Sequence, residues 1–460
     1  MSEENRLVDS FTLNIPEDRA NINISIGWLL LAIGSMVVAG IFTILVVLSR
    51  VLYTREFFPW VDFFHTALVV HVDLTVLTWF LSFAGLFWTL NSTRRCILCG
   101  WSGLCLAVVG TLVIVCSPFL GAGMPFMNNY VPVLQDPIFF IGLGAFGLGF
   151  CVLVLRGLFS SCPVGASISG SGAIRFGLYT ALIAALFSIL ALLASWYGIP
   201  DYAQGEYFFE LLFWGAGHTL QFVHIQLVLV VWLCLATVAG INLKIAPRIV
   251  LLMFAIGLMP VLLTPVIYVM FDVSSGNHLQ AFTWLMQYGG GIAAIPIGLT
   301  IAYSMFSGRN GFPEVSGERN ALIFSFILFA TGGVIGLMIS GSNTIVPAHY
   351  HGSITAIILA FMGITYHLLP RLGFKKPEGK MVRWQPVIYG VGQMMHISAL
   401  AWSGGHGVQR KTAGAAQELD TMEKVLGMGI MGLGGGIAII GGVIFLVIVF
   451  RSMLAARSGY

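Results

Sequence analysis

The sequence predicts an all-α polytopic membrane protein, a bundle of twelve transmembrane helices of about 20 residues or more each. Of its 460 residues, 58% are hydrophobic and only 9% are charged, and its mean hydropathy is +0.92. Long apolar runs, each sufficient to cross a bilayer, recur along the whole chain. A soluble multidomain protein is excluded, because its surface would need far more charge.

The predicted spans follow one another with short connections. They cover residues 27–49, 61–90, 96–117, 134–156, 172–199, 208–240, 248–272, 280–307, 319–341, 347–370, 384–403 and 426–450. Residues 1–26 are polar and lack the features of a signal peptide, so span 1 is predicted to be a retained anchor. We therefore expect a polar N-terminal segment at 1–26, a transmembrane domain at 27–450 and a short tail at 451–460.

The distribution of basic residues predicts the orientation. Most Lys and Arg follow even-numbered spans, at Arg94, Arg95, Arg156, Arg175, Lys244, Arg248, Arg309, Arg319, Arg371, Lys375, Lys376, Lys380, Arg383, Arg451 and Arg457. By the positive-inside rule these loops and both termini are cytoplasmic. The exceptions are Arg50 and Arg55 after span 1 and Arg410, Lys411 and Lys424 after span 11. A net charge of +3 gives no indication of nucleic acid as a partner.

Two short sequence patterns are not expected to take part in the function. Cys96 and Cys99 form a C-x-x-C on the side predicted to be cytoplasmic and reducing, so we expect no role for the pair. The glycine run from Gly432 to Gly436 on span 12 is typical of close helix packing. It does not follow a strand, as a phosphate-binding loop would.

Histidines on four separate spans are predicted to reach the outer half of the membrane. They are His71, followed by Asp73, on span 2, His218 on span 6, His278 before span 8, and His349 and His351 on span 10. An ionisable group inside a membrane is costly and indicates function. The alternative is interfacial histidines that bind water or lipid headgroups, but these would occur at both faces. Of the other five histidines, we expect His367, His396 and His406 to be structural.

The spacing of His349 and His351 indicates two cofactors. On a helix, positions i and i+2 are about 200° apart, so the two imidazoles leave opposite sides of one helix and can each bind a different iron. Arg410 and Lys411, on the outer side against the topological trend, can neutralise carboxylates such as heme propionates. The alternative for this pair is an ordinary solvated loop.

The sequence resembles subunit I of the heme-copper oxidase superfamily, which includes cytochrome c oxidases, quinol oxidases and nitric oxide reductases. The resemblance covers all twelve spans. Its motifs are HVDLTVLTW, GAGHTLQF, the FT after His278, HYHGSITAI with MGITYHLLPRL, and GVQRK. It implies two hemes: a low-spin heme on His71 and His351 and a high-spin heme on His349.

The resemblance also implies a non-heme metal, copper or iron, on His218, and propionate contacts from Arg410 and Lys411. Two features of the sequence depart from the family. Where the family has two adjacent histidines before span 8, this chain has Asn277-His278-Leu279-Gln280, so His278 alone is available. Phe222 and Phe271 stand at or near the two places where oxygen-reducing members have a tyrosine.

Several functions remain open at this point. The resemblance implies a respiratory oxidoreductase in which the low-spin heme passes electrons to the high-spin heme, where O2 is reduced to water. Nitric oxide reduction to N2O is an alternative, since it can dispense with the tyrosine, and Glu206 and Glu210 could supply its protons from outside. A heme-binding electron-transfer or sensor subunit without the non-heme metal is another, and a transporter without hemes is a fourth.

We expect a place in the cell inner (cytoplasmic) membrane, among lipids, with electrons from another chain or from quinol. No C-x-x-C-H motif of a c-type cytochrome is present. The donor is therefore expected to be a second subunit, cytochrome c or quinol.

Overall fold

The computed structural model describes residues 10–48, 60, 62–121, 123–166, 168–307, 316–412 and 417–455. Helices dominate these residues, and eleven of them in the described ranges are long and apolar enough to cross a membrane. The chain is thus a multi-pass all-α membrane protein, and the predicted fold class is confirmed. A further helix, Lys380–Gly405, occupies the place of predicted span 11 but carries more polar residues.

The helices, in chain order, have the following bounds. They are α1 Arg19–Leu48, α2 Phe63–Val72, α3 Trp79–Leu90, α4 Ile97–Gly121, α5 Pro137–Ser160, α6 Gly170–Gly198, α7 Gly205–Val238, α8 Pro247–Leu258, α9 Thr264–Met270, α10 Gly276–Gly289, α11 Gly291–Ser307, α12 Gly317–Gly336, α13 Ile345–Arg371, α14 Lys380–Gly405 and α15 Met422–Leu454. Two short antiparallel strands, β1 Pro125–Phe126 and β2 Val133–Leu134, form a hairpin between α4 and α5.

Three predicted spans are interrupted. A π-helical turn, Asp73–Thr78, joins α2 to α3, and a 3₁₀ turn, Met259–Leu263, joins α8 to α9. The second break contains Pro260, which lacks the N–H that continues an α-helix. Span 8 divides between α10 and α11 at Gly290. These breaks change the direction of side chains within single membrane crossings.

The described chain divides into two compact units, each with its own helix contacts. The first comprises Met1–Val230 and Lys244–Thr300, and the second comprises Val231–Leu243 and Ile301–Tyr460. In the first unit α4 and α5 approach closely at Gly103, Gly110, Gly142 and Gly149. A Cβ at Gly142 would lie 2.8 Å from the Ile114 nitrogen, so only glycine permits this approach.

The end of the first unit where α5 meets the start of α1 differs from expectation in two ways. Arg156, predicted to lie in a loop, is buried within α5 and donates to the Asn21 side-chain oxygen at 2.6 Å and to the Cys96 carbonyl at 3.2 Å. Cys96 and Cys99 form a disulfide, whereas we expected no role for them. Arg156 therefore connects α5 to the start of α1 and to the disulfide loop.

The second unit is built from two helix pairs. Gly332 on α12 meets Gly352 on α13, where a Cβ at position 352 would lie 2.6 Å from the Gly332 Cα. Helices α14 and α15 meet at Gly392, Gly434 and Gly441 in the same way. The packing role predicted for the run from 432 to 436 is confirmed at Gly434, whereas Gly432 and Gly436 face open space.

Candidate functional site

His71 is the last-turn histidine of α2, directly before the π-helical turn. Its Nδ1 lies 3.1 Å from the Ala39 carbonyl and 3.0 Å from the Thr43 hydroxyl, both on α1. A carbonyl oxygen can only accept, so Nδ1 carries the proton and Nε2 keeps its lone pair. His71 is thereby prepared to bind a metal through Nε2.

Asp73 follows His71 and begins the π-helical turn. It is almost fully buried, and its Oδ2 has no hydrogen-bond partner among the described residues. π-helical turns occur frequently at functional sites. The structure therefore places a buried carboxyl group two residues after His71 in the chain.

His218 lies on α7 and is buried, with 5% of its surface exposed. Its Nδ1 donates to the Trp214 carbonyl at 2.8 Å, which leaves the Nε2 lone pair available as in His71. Its ring is surrounded by aromatic rings, at centroid distances of 4.9 Å to Tyr130, 4.7 Å to Trp214 and 6.0 Å to Phe282.

Glycines beside His218 make room for two tyrosines. A Cβ at Gly217 would overlap the Tyr130 ring, and one at Gly215 would overlap the Tyr268 hydroxyl. The Trp-Gly-Ala-Gly stretch thus lets other groups approach the backbone. Both tyrosines were missed by the sequence analysis, which considered only Phe222 and Phe271.

His278 is fully buried in the first turn of α10, not in a loop before the span. The Ser275 side chain caps this helix by accepting from the His278 backbone N–H at 3.2 Å. The His278 ring lies 4.9 Å from Tyr268 and 5.0 Å from Phe282. Neither ring nitrogen makes a hydrogen bond of good geometry to a described residue, although the Phe271 carbonyl is near.

Tyr130 reaches His218 from the hairpin between α4 and α5. The Asn128 side chain accepts from the Tyr130 N–H at 3.2 Å and from the Val131 N–H at 3.0 Å, which closes the turn. Glu210 on α7 accepts from the Asn129 N–H at 2.9 Å and so holds the hairpin against α7. Burial, and secondarily the Glu210 charge, raise the pKa of the Tyr130 phenol well above its ordinary value.

His349 and His351 leave α13 toward different helices, as their spacing predicted. The His349 Nδ1 donates to the Gly332 carbonyl on α12 at 2.8 Å, and a Cβ at Gly336 would lie 2.6 Å from that nitrogen. The His351 ring contacts the His396 ring of α14 at 5.0 Å. Like His71 and His218, His349 keeps the Nε2 lone pair.

The basic pair lies at the start of α13. The Thr344 N–H donates to the Val408 carbonyl at 3.0 Å, which attaches the loop after α14 to the residue preceding α13. In that loop Arg410 donates through Nε to the Ser342 hydroxyl at 3.1 Å, and Lys411 is exposed with a φ of 60°. Both cations thus belong to the same end of the second unit as His349 and His351.

Two proteins of other organisms are similar in sequence to most of the chain. No family model matches it. It is 27% identical over 500 residues to uncharacterized protein RP382 of Rickettsia prowazekii (strain Madrid E), covering 94% of this chain and 96% of that protein. It is 30% identical over 361 residues to an uncharacterized protein of Aquifex aeolicus (strain VF5), covering 78% of this chain and 88% of that protein. The chain belongs to the family of this Aquifex protein.

The chain also shares its fold with a solved structure. The structure of a heme-copper terminal oxidase dimer, determined by cryo-EM, superposes on the chain with a TM-score of 0.71 and 15% sequence identity. The match covers 96% of this chain and 85% of the other. It shows that this chain adopts the fold of a heme-copper terminal oxidase.

Two histidines among the described residues have the hydrogen bonding that is usual for an axial heme ligand. His71 and His349 each have Nδ1 satisfied by a carbonyl, as an axial imidazole requires. His218 and His278 are the two buried imidazoles beside Phe282. No group of three or more His, Cys, Asp or Glu side chains suited to a metal occurs within the described ranges, and a tightly held metal needs at least three protein ligands.

Proposed function

We propose that the chain is a membrane-bound respiratory heme oxidoreductase of the subunit I type. His71 and His351 would hold a low-spin heme, and His349 a high-spin heme at which O2 is reduced to water. The observation that carries this proposal is that His71 and His349 lie on helices of a fold shared with a heme-copper terminal oxidase, and that each donates Nδ1–H to a carbonyl of a neighbouring helix and keeps Nε2 for an iron.

The hemes would supply electron transfer and an open iron position for a gas. The protein's part is to orient the imidazoles and to neutralise charge. Gly332 and Gly336 give the His349 ring its place against α12. Arg410 and Lys411, at the start of α13, are the cations suited to heme propionates.

The tyrosine contacts favour O2 over nitric oxide as substrate. Reduction of O2 to water takes four electrons, and a phenol near the gas can supply one of them with a proton. Tyr130 contacts His218 and Tyr268 contacts His278. The Tyr268 hydroxyl donates to the Ala191 carbonyl at 2.9 Å and lies 2.7 Å from the Ser195 hydroxyl, so its position is well defined.

A second candidate function is a heme-binding electron-transfer or sensor subunit. It is favoured by the sequence Asn277-His278-Leu279-Gln280, in which a single histidine stands where the heme-copper oxidases have two adjacent histidines. Metal analysis of the purified protein separates the candidates. Copper or iron beyond the two hemes supports the oxidase, whereas heme iron alone with no turnover of O2 or nitric oxide supports the second function.

Optical spectroscopy of the purified protein tests the heme assignments. We expect His71→Ala and His351→Ala to remove the low-spin spectrum. We expect His349→Ala to abolish CO binding to the reduced protein while the low-spin spectrum remains. His406→Ala is the control, because this exposed histidine also donates Nδ1–H to a carbonyl, that of Trp402 at 2.8 Å. CO binding that survives in His349→Ala would refute the proposal.

The proposed location is the inner membrane, with both termini in the cytoplasm. Electrons would come from a second subunit, cytochrome c or quinol. Steady-state assays with each donor and with O2 or nitric oxide identify the natural pair.

A further inference from the structure

A histidine outside the proposed ligand set lies against the proposed low-spin heme ligand. The His396 ring, on α14, meets the His351 ring at a centroid distance of 5.0 Å and an interplanar angle of 62°. The Tyr350 ring lies 5.1 Å from His351 at an angle of 30°. Two aromatic neighbours from two helices therefore limit the rotation of the His351 imidazole.

His396 is itself held firmly by α15. Its Nδ1 lies 3.0 Å from the Met431 carbonyl, so Nδ1 carries the proton and Nε2 keeps its lone pair. The glycines of α15 permit this contact. A Cβ at Gly434 would lie 2.6 Å from the His396 backbone nitrogen, and one at Gly435 would lie 3.3 Å from Nδ1.

The glycine run of α15 thus has a consequence beyond helix packing. It brings the Met431 carbonyl within reach of His396, and that bond sets the plane of the ring that touches His351. This sequence of contacts, from α15 through α14 to α13, lies within the second unit. Neighbours that orient a metal-binding histidine also tune the metal it binds.

We propose that His396 is a positioning residue that sets the ring plane of His351 and thereby the reduction potential of the low-spin heme. This inference rests on the proposed function, since it takes His351 to be a heme ligand. The axial ligand and its surroundings are the protein's means of adjusting a heme potential. A purely structural histidine would contribute packing alone.

The test is redox titration and electron paramagnetic resonance of the purified holoprotein carrying His396→Phe. Phenylalanine keeps a ring but removes both nitrogens. We expect the low-spin spectrum to remain, its g-values to change, and the heme reduction equilibrium to shift about tenfold, which is 59 mV for one electron. His406→Phe is the matched control at the end of the same helix, and its potential and g-values should equal those of the wild type.

Each other outcome is decisive. Unchanged potential and g-values in His396→Phe would show that His396 only packs, and loss of the low-spin spectrum in that variant would make His396 itself a ligand. If His396→Phe fails to fold, His396→Gln, which keeps a polar side chain, gives the same comparison. A wild-type protein without a bis-imidazole low-spin signal would refute the proposed function, a failure distinguishable from that of His396.

Discussion

The hydrogen bond made by Nδ1 determines which nitrogen of a histidine can bind a metal. His71, His218, His349, His396 and His406 all place Nδ1 at a main-chain carbonyl. The bond alone therefore does not identify a ligand, because His406 is exposed at the end of α14. The surroundings discriminate: His218 is enclosed by aromatic rings, and His349 fits against a position where only glycine leaves space.

The titration of the Tyr130 phenol is predicted to depend on its burial in the folded protein. Burial and the Glu210 charge raise its pKa, so the folded state favours the neutral phenol. The resulting stability is complete below pH about 10, the ordinary tyrosine value, and is lost as pH rises through the higher folded-state pKa. The phenolate absorbance of Tyr130 is obtained by subtracting the spectrum of the Tyr130→Phe variant from that of the wild type. We expect this difference to appear only above pH about 10.

Two variants make this titration specific. Glu210→Gln removes the charge and should move the Tyr130 signal to lower pH. Tyr202→Phe removes an exposed tyrosine of the loop between α6 and α7 and supplies the reference difference spectrum. A Tyr130 signal that is complete below pH about 10 would contradict the burial of its phenol against His218.

The glycines between helices α14 and α15 determine how closely the two helices approach each other. Gly434→Ala should introduce a methyl group 2.6 Å from the His396 backbone nitrogen, which neither helix can avoid without moving. Such overpacking typically costs about 1–3 kcal/mol. We expect a lower midpoint of thermal unfolding in detergent and, if the helices separate, a weaker His396–Met431 bond.

Gly436→Ala is the matched control for this element. The same helix places Gly436 against open space, with no atom within 4 Å of the position that an alanine Cβ would take. Alanine favours helix over glycine by about 1 kcal/mol, so this variant should be neutral or slightly stabilised. Equal losses of stability in both variants would contradict this prediction, because a loss at Gly436 could not come from the contact between α14 and α15.

Much of the whole molecule followed from the sequence, because hydropathy and glycine spacing are local properties. The apolar runs predicted the helices, and the run from Gly432 to Gly436 predicted close helix packing, which occurs at Gly434. The approach of Tyr130 could not be predicted, since it depends on a hairpin held by Glu210. Nor could the burial of Arg156, which depends on Asn21 and on the Cys96 carbonyl.

Arg156 also bears on the orientation of the whole molecule. Buried within α5, it no longer counts as a loop charge, yet Arg94, Arg95, Lys244 and Arg248 still lie on one predicted side. The positive-inside rule predicts that this side is cytoplasmic. We expect a fluorescent protein fused to the C-terminus to fluoresce, and alkaline phosphatase inserted in the loop 199–204 to be active. Phosphatase inserted in the loop 239–246 is the control and should be inactive, because the enzyme folds only outside the cytoplasm. The reverse pattern would place the His71, His218 and His349 ends of their helices on the cytoplasmic side. Protons and electrons would then have to enter from the faces opposite to those that the predicted orientation gives.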